Sequence, residues 1–348
     1  MISQSAIALL IVLFALSNSQ IVADYTGGAK TMSVALAMAG IDYDIPLYVT
    51  TSTNRENLIR VECGEATERA RTASITVERK IEQFLPLLLQ QYNYSGAIAE
   101  LKNLLQSAEL PTESRQRIRE LKDCCSGFDA WNRCNHNQAW QLLQPYMKRQ
   151  EICDLGIFLK RVMGSRAAID EKFTTTSGIN DHGYEIVEDL LLNAERRASQ
   201  ELYDDAAGRL YRALELLAQI RLLQAYKIKT GDVDIQKLPE FLREKYLDPA
   251  ISSKDGKIQL PLTKSYVLLS ELLDQPLGNL YQQQAAKIQN ALPICNYSLL
   301  AHGFEPVTKE NYQKFSGVVV SFIQTSITKL TPPKLQLPPT QLPRSLSI

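Results

Sequence analysis

The chain has 348 residues, with 38 lysines and arginines against 38 aspartates and glutamates. This length accommodates two or three domains with ample core. The balanced charge excludes attraction of nucleic acid by the overall field of the protein, so any such contact would have to be made in a local groove. Six cysteines form no CxxC pair, and Cys134-Asn135-His136 has no partner at zinc-ligand spacing. We therefore expect free thiols in a reducing compartment, with no metal and no cofactor.

The N-terminus allows two interpretations. Residues 6–16 are an unbroken apolar run, and Ser17-Asn18-Ser19 follows it. The run has the outline of a signal-peptide core, but no lysine or arginine precedes it, and it is too short to span a bilayer. The alternative is a buried strand or helix of a sheet domain.

The next motif is DYTGGAKTM at residues 24–32, which follows apolar residues and precedes a run of small and apolar ones. That order predicts a strand, a glycine turn and a helix. Gly27 and Gly28 let a ligand approach the backbone, while Lys30 and Thr31 lie in the first helical turn, where free N–H groups suit an anion. The motif has neither the Walker nor the dinucleotide-binding glycine spacing, so an ordinary β–α turn is the alternative.

This stretch resembles the DYTGGTKTM signature of CARF domains, the Rossmann-like sensors of CRISPR-associated accessory proteins. The resemblance implies that the loop lines a dimeric pocket for cyclic oligoadenylate. CARF domains carry several strand–helix units before this loop, whereas only residues 1–23 precede it here. The resemblance therefore implies that the first half of the domain is missing, and we expect this chain alone to bind the ligand weakly or not at all. The residues assigned to the ligand are Thr26, Gly27, Gly28, Lys30 and Thr31.

Beyond the loop, residues 45–50 and 58–61 predict the last strands of the sheet, and the pattern is helical from about residue 67. Residues 128–143 resemble a WDRFDHxEA-like element of the same CRISPR-associated family. Three helical hairpins have similar turns, each followed by an alanine that lets two helices approach closely. The alanines are Ala97, Ala139 and Ala206, and their uneven spacing excludes a tetratricopeptide array.

Residues 189–223 carry the strongest helical pattern, with an apolar stripe formed by Leu210, Leu214, Leu217 and Ile220. Arginines stand off that stripe. Exposed arginines on a helix are usually solvated, and the alternative is that they face RNA. The candidates are Arg196, Arg197 and Arg212.

The motif CNYSLLAHG at residues 295–303 resembles the RNxSxLAHG block of HEPN-type domains. HEPN ribonucleases work without metal, and their arginine and histidine meet at a dimer interface to engage the scissile phosphate and the 2′-hydroxyl. The resemblance implies that His302, Asn296 and Ser298 are catalytic residues. Cys295 stands where the arginine belongs, and a thiol cannot supply the permanent charge of a guanidinium. On one helix, the seven-residue separation would place both positions on the same face.

The sequence thus predicts an α+β, mostly α protein. A partial, Rossmann-like CARF domain covers residues 1–66, a helical hairpin region 67–170, and an all-helical HEPN-like effector domain 171–330. The tail, residues 331–348, holds five prolines in eighteen residues and is expected to be disordered.

The function that follows from the resemblance is that of a cytoplasmic, homodimeric accessory protein of type III CRISPR antiviral defence. It would sense cyclic oligoadenylate and act on single-stranded RNA, with no membrane partner. Whether its ribonuclease domain is active depends on Cys295. The alternative is a non-enzymatic helical interaction or scaffold protein, exported through residues 6–16.

Overall fold

The computed structural model describes residues 17, 20–27, 29–43, 45–56, 60–70, 73–106, 110–173, 179–247, 257–301 and 303–346. In this part of the chain the protein is α+β and mostly helical, as predicted. The chain forms two compact units, Met1–Pro86 with Ala99–Arg119, and Leu87–Ile98 with Glu120–Ile348. The domain boundaries at residues 66 and 170 stay predictions. Among the described helices, none is both long and apolar enough to cross a membrane.

The first unit contains the strand–turn–helix that the glycine motif predicts. Strand β1 (Ala23–Asp24), helix α1 (Lys30–Asp42) and strand β2 (Leu47–Glu56) follow one another. β1 pairs with β2 in parallel, so α1 is a crossover helix of the kind found in Rossmann-like sheets. Strand β3 (Arg60–Arg69) pairs with β2 in antiparallel and completes the described order β1-β2-β3.

β3 is longer than the sequence indicates. The predicted strand ends at residue 61 and the helical region begins near 67, but β3 continues to Arg69 and helix starts at Ala73. The segment is largely polar and shows no clean alternation, so local pattern underestimates it. Its backbone is satisfied by pairing with β2, an interaction that residue types alone do not reveal.

A small apolar core joins α1 to this sheet. Gly40 of α1 stands over Leu47, and a Cβ at Gly40 would lie 2.3 Å from a Leu47 methyl carbon. Glycine is therefore what allows the helix to approach the strand so closely. The buried members of the core are Ile21, Ala23, Ala39, Ile45 and Leu47.

Helices make up the rest of the described chain. A π-helical turn, Lys80–Phe84, separates the first two. These helices are α2 (Ala73–Arg79), α3 (Leu85–Gln90), α4 (Tyr94–Leu105), α5 (Thr112–Asn132), α6 (His136–Leu143) and α7 (Gln150–Ala167). They are followed by α8 (Glu185–Ser199), α9 (Tyr203–Tyr226), α10 (Glu240–Tyr246), α11 (Leu262–Glu271), α12 (Leu277–Asn296) and α13 (Lys309–Leu330).

Helix α9 lies at the centre of the second unit, where it packs against α8, α11, α12 and α13. The four residues of its predicted apolar stripe are all buried. Since burial of apolar surface is the main driving force of folding, this stripe explains why the helices gather around α9.

The three predicted hairpin turns share one backbone conformation. In each, a residue with positive φ stands five positions before the alanine, a conformation that is uncommon outside glycine. These residues are Tyr92, Cys134 and Glu201, with φ of 53°, 59° and 62°. The alanines that follow are fully buried, as the close approach of two helices requires. Asn93 and Asn135 cap the first two helices through their side chains, whereas the third has no side-chain cap.

Contrary to the expectation of a disordered tail, residues 331–346 pack against the second unit. Leu342 is 2% exposed. The Tyr94 hydroxyl donates to the carbonyl of Pro343 at 2.7 Å, and Arg196 donates to the side chain of Gln341 at 2.5 Å. Absence of periodicity excludes a long helix or strand, but an extended segment is ordered when its carbonyls find donors. Proline also lowers the entropic cost of ordering, because its φ is already fixed.

Candidate functional site

The glycine loop is organised by the carboxylate of Asp24. The Thr26 backbone N–H donates to Asp24 Oδ1 at 2.9 Å, and the Thr26 hydroxyl donates to the same oxygen. The hydroxyl of Thr50 on β2 donates to Asp24 Oδ2 at 3.2 Å. These hydrogen bonds, led by that from the Thr26 hydroxyl, lower the pKa of Asp24. A charged carboxylate thus ties the loop to the neighbouring strand.

The predicted ligand-binding residues meet at the start of α1. Thr26, Gly27, Lys30 and Thr31 are exposed, and nothing lies within 4 Å of where a Cβ on Gly27 would stand. Lys30 is the first residue of α1, so the helix N-terminus is open to an anion. Gly28 lies outside the described residues. The hydroxyl of Thr26 also accepts from the Thr50 N–H at 2.5 Å, and it therefore positions the loop.

Two residues that hold this loop in place are not among the predicted site residues. Asp24 lies within the motif, and aspartate two residues before threonine is the pattern of an Asx turn, which is the local signal for its role. Thr50 carries no local signal. It reaches Asp24 only because β1 and β2 pair in parallel, with Asp24 opposite Tyr48.

The C-terminal motif forms a closed turn between α12 and α13. The carbonyl of Ser298 accepts from the N–H groups of Ala301 and Gly303, each at 3.0 Å. The Glu305 N–H donates to the carbonyl of Tyr297 at 3.2 Å. A Cβ on Gly303 would lie 1.9 Å from that same carbonyl oxygen, so only glycine fits here.

The expectation that positions 295 and 302 share one helix is wrong, because α12 ends at Asn296. The turn that follows redirects the chain, and separation along the sequence no longer fixes the relative placement of the two side chains. Asn296 is half-buried and Ser298 is buried. His302 lies outside the described residues, so its role as a catalytic residue stays a prediction.

Cys295 is enclosed. It is 5% exposed, and burial, assisted by Asp204, raises the pKa of its thiol to about 11. At neutral pH the thiol is uncharged, so position 295 supplies no cation. Asp204 Oδ2 accepts from the Val307 N–H at 3.1 Å, whereas its Oδ1 is buried without a hydrogen-bond partner in the described structure.

A second polar cluster lies in the element that resembles WDRFDHxEA. Asp189 of α8 is buried and accepts from Trp131 Nε1 at 2.9 Å, while His136 Nε2 lies 3.1 Å from its other oxygen. Arg166 Nη1 lies 3.2 Å from His136 Nδ1. A guanidinium can only donate, so Nδ1 accepts and Nε2 carries the hydrogen that Asp189 receives. Both ring nitrogens of His136 therefore have hydrogen-bond partners within the protein.

The sequence indicates Arg196, Arg197 and Arg212 as candidates to face RNA. Arg196 is 1% exposed and donates to Asn132 Oδ1 at 2.9 Å, so it ties α8 to α5 and cannot face a ligand. Arg197 is partly buried against Asp205, 3.2 Å away. Of the three arginines, Arg212 is the one with about half of its side chain exposed.

The described cysteines are free thiols. Burial raises the pKa of Cys124 and Cys125 to about 12 in each case. In the described part of the chain, no group of three or more histidine, cysteine or carboxylate side chains is placed to hold a metal ion.

Residues 175–326 match the family described as Csm6 HEPN domain. The fold is similar to that of Enterococcus italicus Csm6, solved bound to cyclic hexa-2'-fluoro-hexa-dAMP. The TM-score is 0.55 at 12% identity, over 94% of this chain and 74% of that chain. No curated protein matches.

The family match covers the predicted HEPN domain, and the likeness to the solved structure is one of fold. They support a type III CRISPR accessory protein with a HEPN domain. Residues 6–16, on which the interpretation as an exported protein depends, lie outside the described residues.

Proposed function

We propose that this chain, a type III CRISPR accessory protein with a Csm6 HEPN domain, senses cyclic oligoadenylate at its glycine loop and acts on single-stranded RNA in the cytoplasm. The observation that carries the sensor is the exposed start of α1. At this point the chain leaves a parallel strand, passes through a glycine and begins a helix at a lysine. Asp24 holds this loop in place. In Rossmann-like sheets, ligands bind at this end of the strands.

The ligand chemistry fits the loop. A cyclic oligoadenylate presents phosphates, which the N–H groups of the helix start and the ammonium of Lys30 can bind. Gly27 leaves open space beside the backbone. The similar protein from Enterococcus italicus carries a cyclic oligonucleotide in its own structure, and this supports the proposal.

Calorimetry with cyclic tetra- and hexa-adenylate tests the sensor. In protein that carries a complete CARF sheet, Lys30→Ala should weaken binding by about 1–3 kcal/mol, since it removes one charged hydrogen bond and leaves the turn intact. Arg79→Ala in the same unit is the matched control and should bind like the wild type. Equal binding by wild type and Lys30→Ala would remove Lys30 from the site.

For the effector domain we propose an RNA-binding HEPN fold with little or no ribonuclease activity. The thiol at position 295 is buried and uncharged at neutral pH. Stabilisation of the charge that develops on a phosphate is worth about 3–4 kcal/mol for each donor, or a factor of about 10²–10³ in rate. Loss of the arginine should therefore remove most of the metal-independent cleavage.

Restoring the cation tests this proposal. Cys295→Arg places a guanidinium near Asp204, whose Oδ1 lacks a hydrogen-bond partner in the described structure. In protein that carries a complete CARF sheet, RNA cleavage in EDTA, with cyclic oligoadenylate present, should rise in Cys295→Arg and fall again in Cys295→Arg/His302→Ala. Cys295→Met is the matched control, because it enlarges the side chain without charge. Strong cleavage by the wild type in EDTA that does not depend on His302 would contradict the proposal. This outcome can be measured without any variant at position 295.

A homodimer is the assembly that we propose. Four apolar side chains around the closed turn are between 64% and 90% exposed, beside Cys295. Exposed apolar side chains that are concentrated in one short turn favour an interaction surface. These residues are Tyr297, Leu299, Leu300 and Phe304. Light scattering on Leu300→Ser/Phe304→Ser should give a monomer at concentrations where the wild type is a dimer. A wild-type monomer, or a variant that stays dimeric, would refute this interface.

A further inference from the structure

A groove runs along α9 in the second unit, away from the closed turn. It consists of two adjoining clefts of about 620 Å³ and 800 Å³, which share the residues Ile169, Asp170, Leu223 and Lys229. Volumes of this size are typical of ligand sites. We call it the α9 groove.

The α9 groove is elongated. Arg212, Leu216, Gln219 and Leu223 line it and lie at spacings of four, three and four, which is one face of a helix. Eleven residues of α-helix span about 17 Å. The groove is thus long enough for a short run of nucleotides rather than for one phosphate.

Basic side chains outnumber acidic ones along the α9 groove, in a chain whose formal net charge is zero. The described lining contains five basic residues, Arg166, Lys172, Arg212, Lys227 and Lys229, and three acidic residues, Asp170, Glu171 and Asp232. Each acid has a basic neighbour. Arg166 lies 3.4 Å from Asp170, Lys229 pairs with Glu171, and Lys257 lies 3.9 Å from Asp232. Exposed ion pairs of this kind are weak, so phosphates can replace the carboxylates.

Arg166 is held in a fixed orientation. Its guanidinium donates to the carbonyl of Cys134 at 3.0 Å and to His136 Nδ1, and it lies 4.4 Å from the centre of the Phe173 ring. Asp189 fixes the imidazole in turn. An arginine oriented in advance loses little entropy when it binds a phosphate, and this arrangement is typical of sites that recognise anions.

Aliphatic side chains form the rest of the wall, among them Ile186, Leu190 and Leu216. An apolar wall beside a row of cations matches a strand whose bases are apolar on their faces and whose backbone is anionic. A double helix presents its backbone and the edges of its bases, but its base faces are stacked and not free. The combination therefore favours a single strand.

We propose that the α9 groove binds a segment of single-stranded RNA, with phosphates on Arg166, Arg212 and the groove lysines and bases against the aliphatic wall. This inference rests on the proposed function, in which the HEPN domain binds single-stranded RNA. Tyr211 is next to Arg212, and burial, Glu215 and Cys295 raise its pKa, which places Cys295 close to Tyr211. Arg212 of the groove is therefore next in sequence to a residue that lies close to Cys295.

Fluorescence anisotropy with labelled single-stranded RNA of about twelve nucleotides, in EDTA and on the full chain, tests the groove. The variant is Lys172→Ala/Arg212→Ala, since both side chains are exposed and their loss leaves the core intact. The matched control, Lys264→Ala/Lys329→Ala, removes two exposed lysines from outside the groove. Affinity is measured between about 50 and 200 mM salt, because each phosphate contact to a single strand adds about 0.7 to the slope of log K against log salt.

We expect the groove variant to bind RNA at least about tenfold more weakly than the wild type. Its slope of log K against log salt should be smaller in magnitude by about 1.4, while the control pair should match the wild type. If the groove variant and the control pair bind RNA equally well, the α9 groove is not the RNA-binding site, and the proposed function is unaffected. If wild-type protein binds no RNA, the groove and the RNA substrate are both wrong, while cyclic oligoadenylate binding decides the sensor separately. Displacement of the RNA by adenosine monophosphate at equal nucleotide concentration would make the groove a mononucleotide site and overturn the RNA assignment.

Discussion

Asp189→Asn is the change that should most sharply expose how the second unit is held together. The carboxylate is buried, accepts from Trp131 and His136, and lies 4.0 Å from the buried guanidinium of Arg196. Asparagine has nearly the same shape, so no cavity forms. What changes is charge and hydrogen-bonding capacity.

The cost can be worked out from these contacts. The asparagine oxygen can serve either Trp131 or His136, and the amide N–H₂ then faces the other donor. If the asparagine N–H₂ faces His136 Nε2, the hydrogen on the imidazole must move to Nδ1. There it lies against an N–H of Arg166, which is also a donor. Removing one partner of a buried ion pair costs about 3–5 kcal/mol, and the other acceptors of Arg196, Asn132 and Gln341, favour the lower end. At about 2–4 °C per kcal/mol, a loss of about 3 kcal/mol lowers Tm by about 6–12 °C.

Intrinsic tryptophan fluorescence during heating is the assay. The chain has two tryptophans, Trp131 and Trp140, and both lie in Glu120–Ile348, so the signal reports the second unit. Asp154→Asn makes the same chemical change at an exposed position of α7 and should shift Tm by less than about 1 °C, since exposed substitutions have little effect. If Asp189→Asn loses less than about 1 kcal/mol, the network of Asp189 does not hold the unit together, and this argument is wrong.

Three further predictions concern the same unit. Leu342→Ala should lower the free energy of unfolding by about 2–5 kcal/mol, because the side chain is buried; urea unfolding followed by tryptophan fluorescence measures it. A change under about 0.5 kcal/mol would mean that the tail is not packed. Gly303→Ala should destabilise the closed turn and speed amide exchange in residues 297–305. The control Gly317→Ala, with open space around it, should stabilise the protein by up to about 1 kcal/mol. Unchanged amide exchange in Gly303→Ala would refute the close contact. Folded-state burial raises the pKa of Cys125 to about 12, so the unfolded chain loses this thiol proton first and stability should fall as pH rises above 9. This thiol alone contributes at most about 1.4 kcal/mol per pH unit. Cys125→Ala should make the slope less steep by that contribution, and an unchanged slope would exclude this thiol.

Much of the local structure could be predicted from the sequence, because local signals determine it. The glycine turn before Lys30, the apolar stripe of α9 and the alanines after the three turns depend on neighbours within a few residues. The HEPN family was predicted in the same way, from one nine-residue motif.

What the sequence could not supply depends on partners far along the chain. Thr50 reaches Asp24 through strand pairing, and Asp189 meets Trp131 across 58 positions. Helix α12 ends at Asn296, and the turn after it is closed by the fit of Gly303 against Tyr297, a contact that the motif alone does not reveal. The order of the Pro-rich tail depends on donors in α4 and α8.

The packed tail has a consequence for how the protein matures during translation. The Tyr94 hydroxyl and the carbonyl of Pro343 are separated by 249 positions, so one end of this contact leaves the ribosome long before the other. Until then, the helices that emerge first expose the apolar surface that Leu342 later covers. Closing so long a loop carries an entropic cost, and contacts of such sequence separation form slowly. The nascent second unit therefore passes through a stage in which it is open to chaperones and to proteases, and that stage ends only when residues 331–346 arrive.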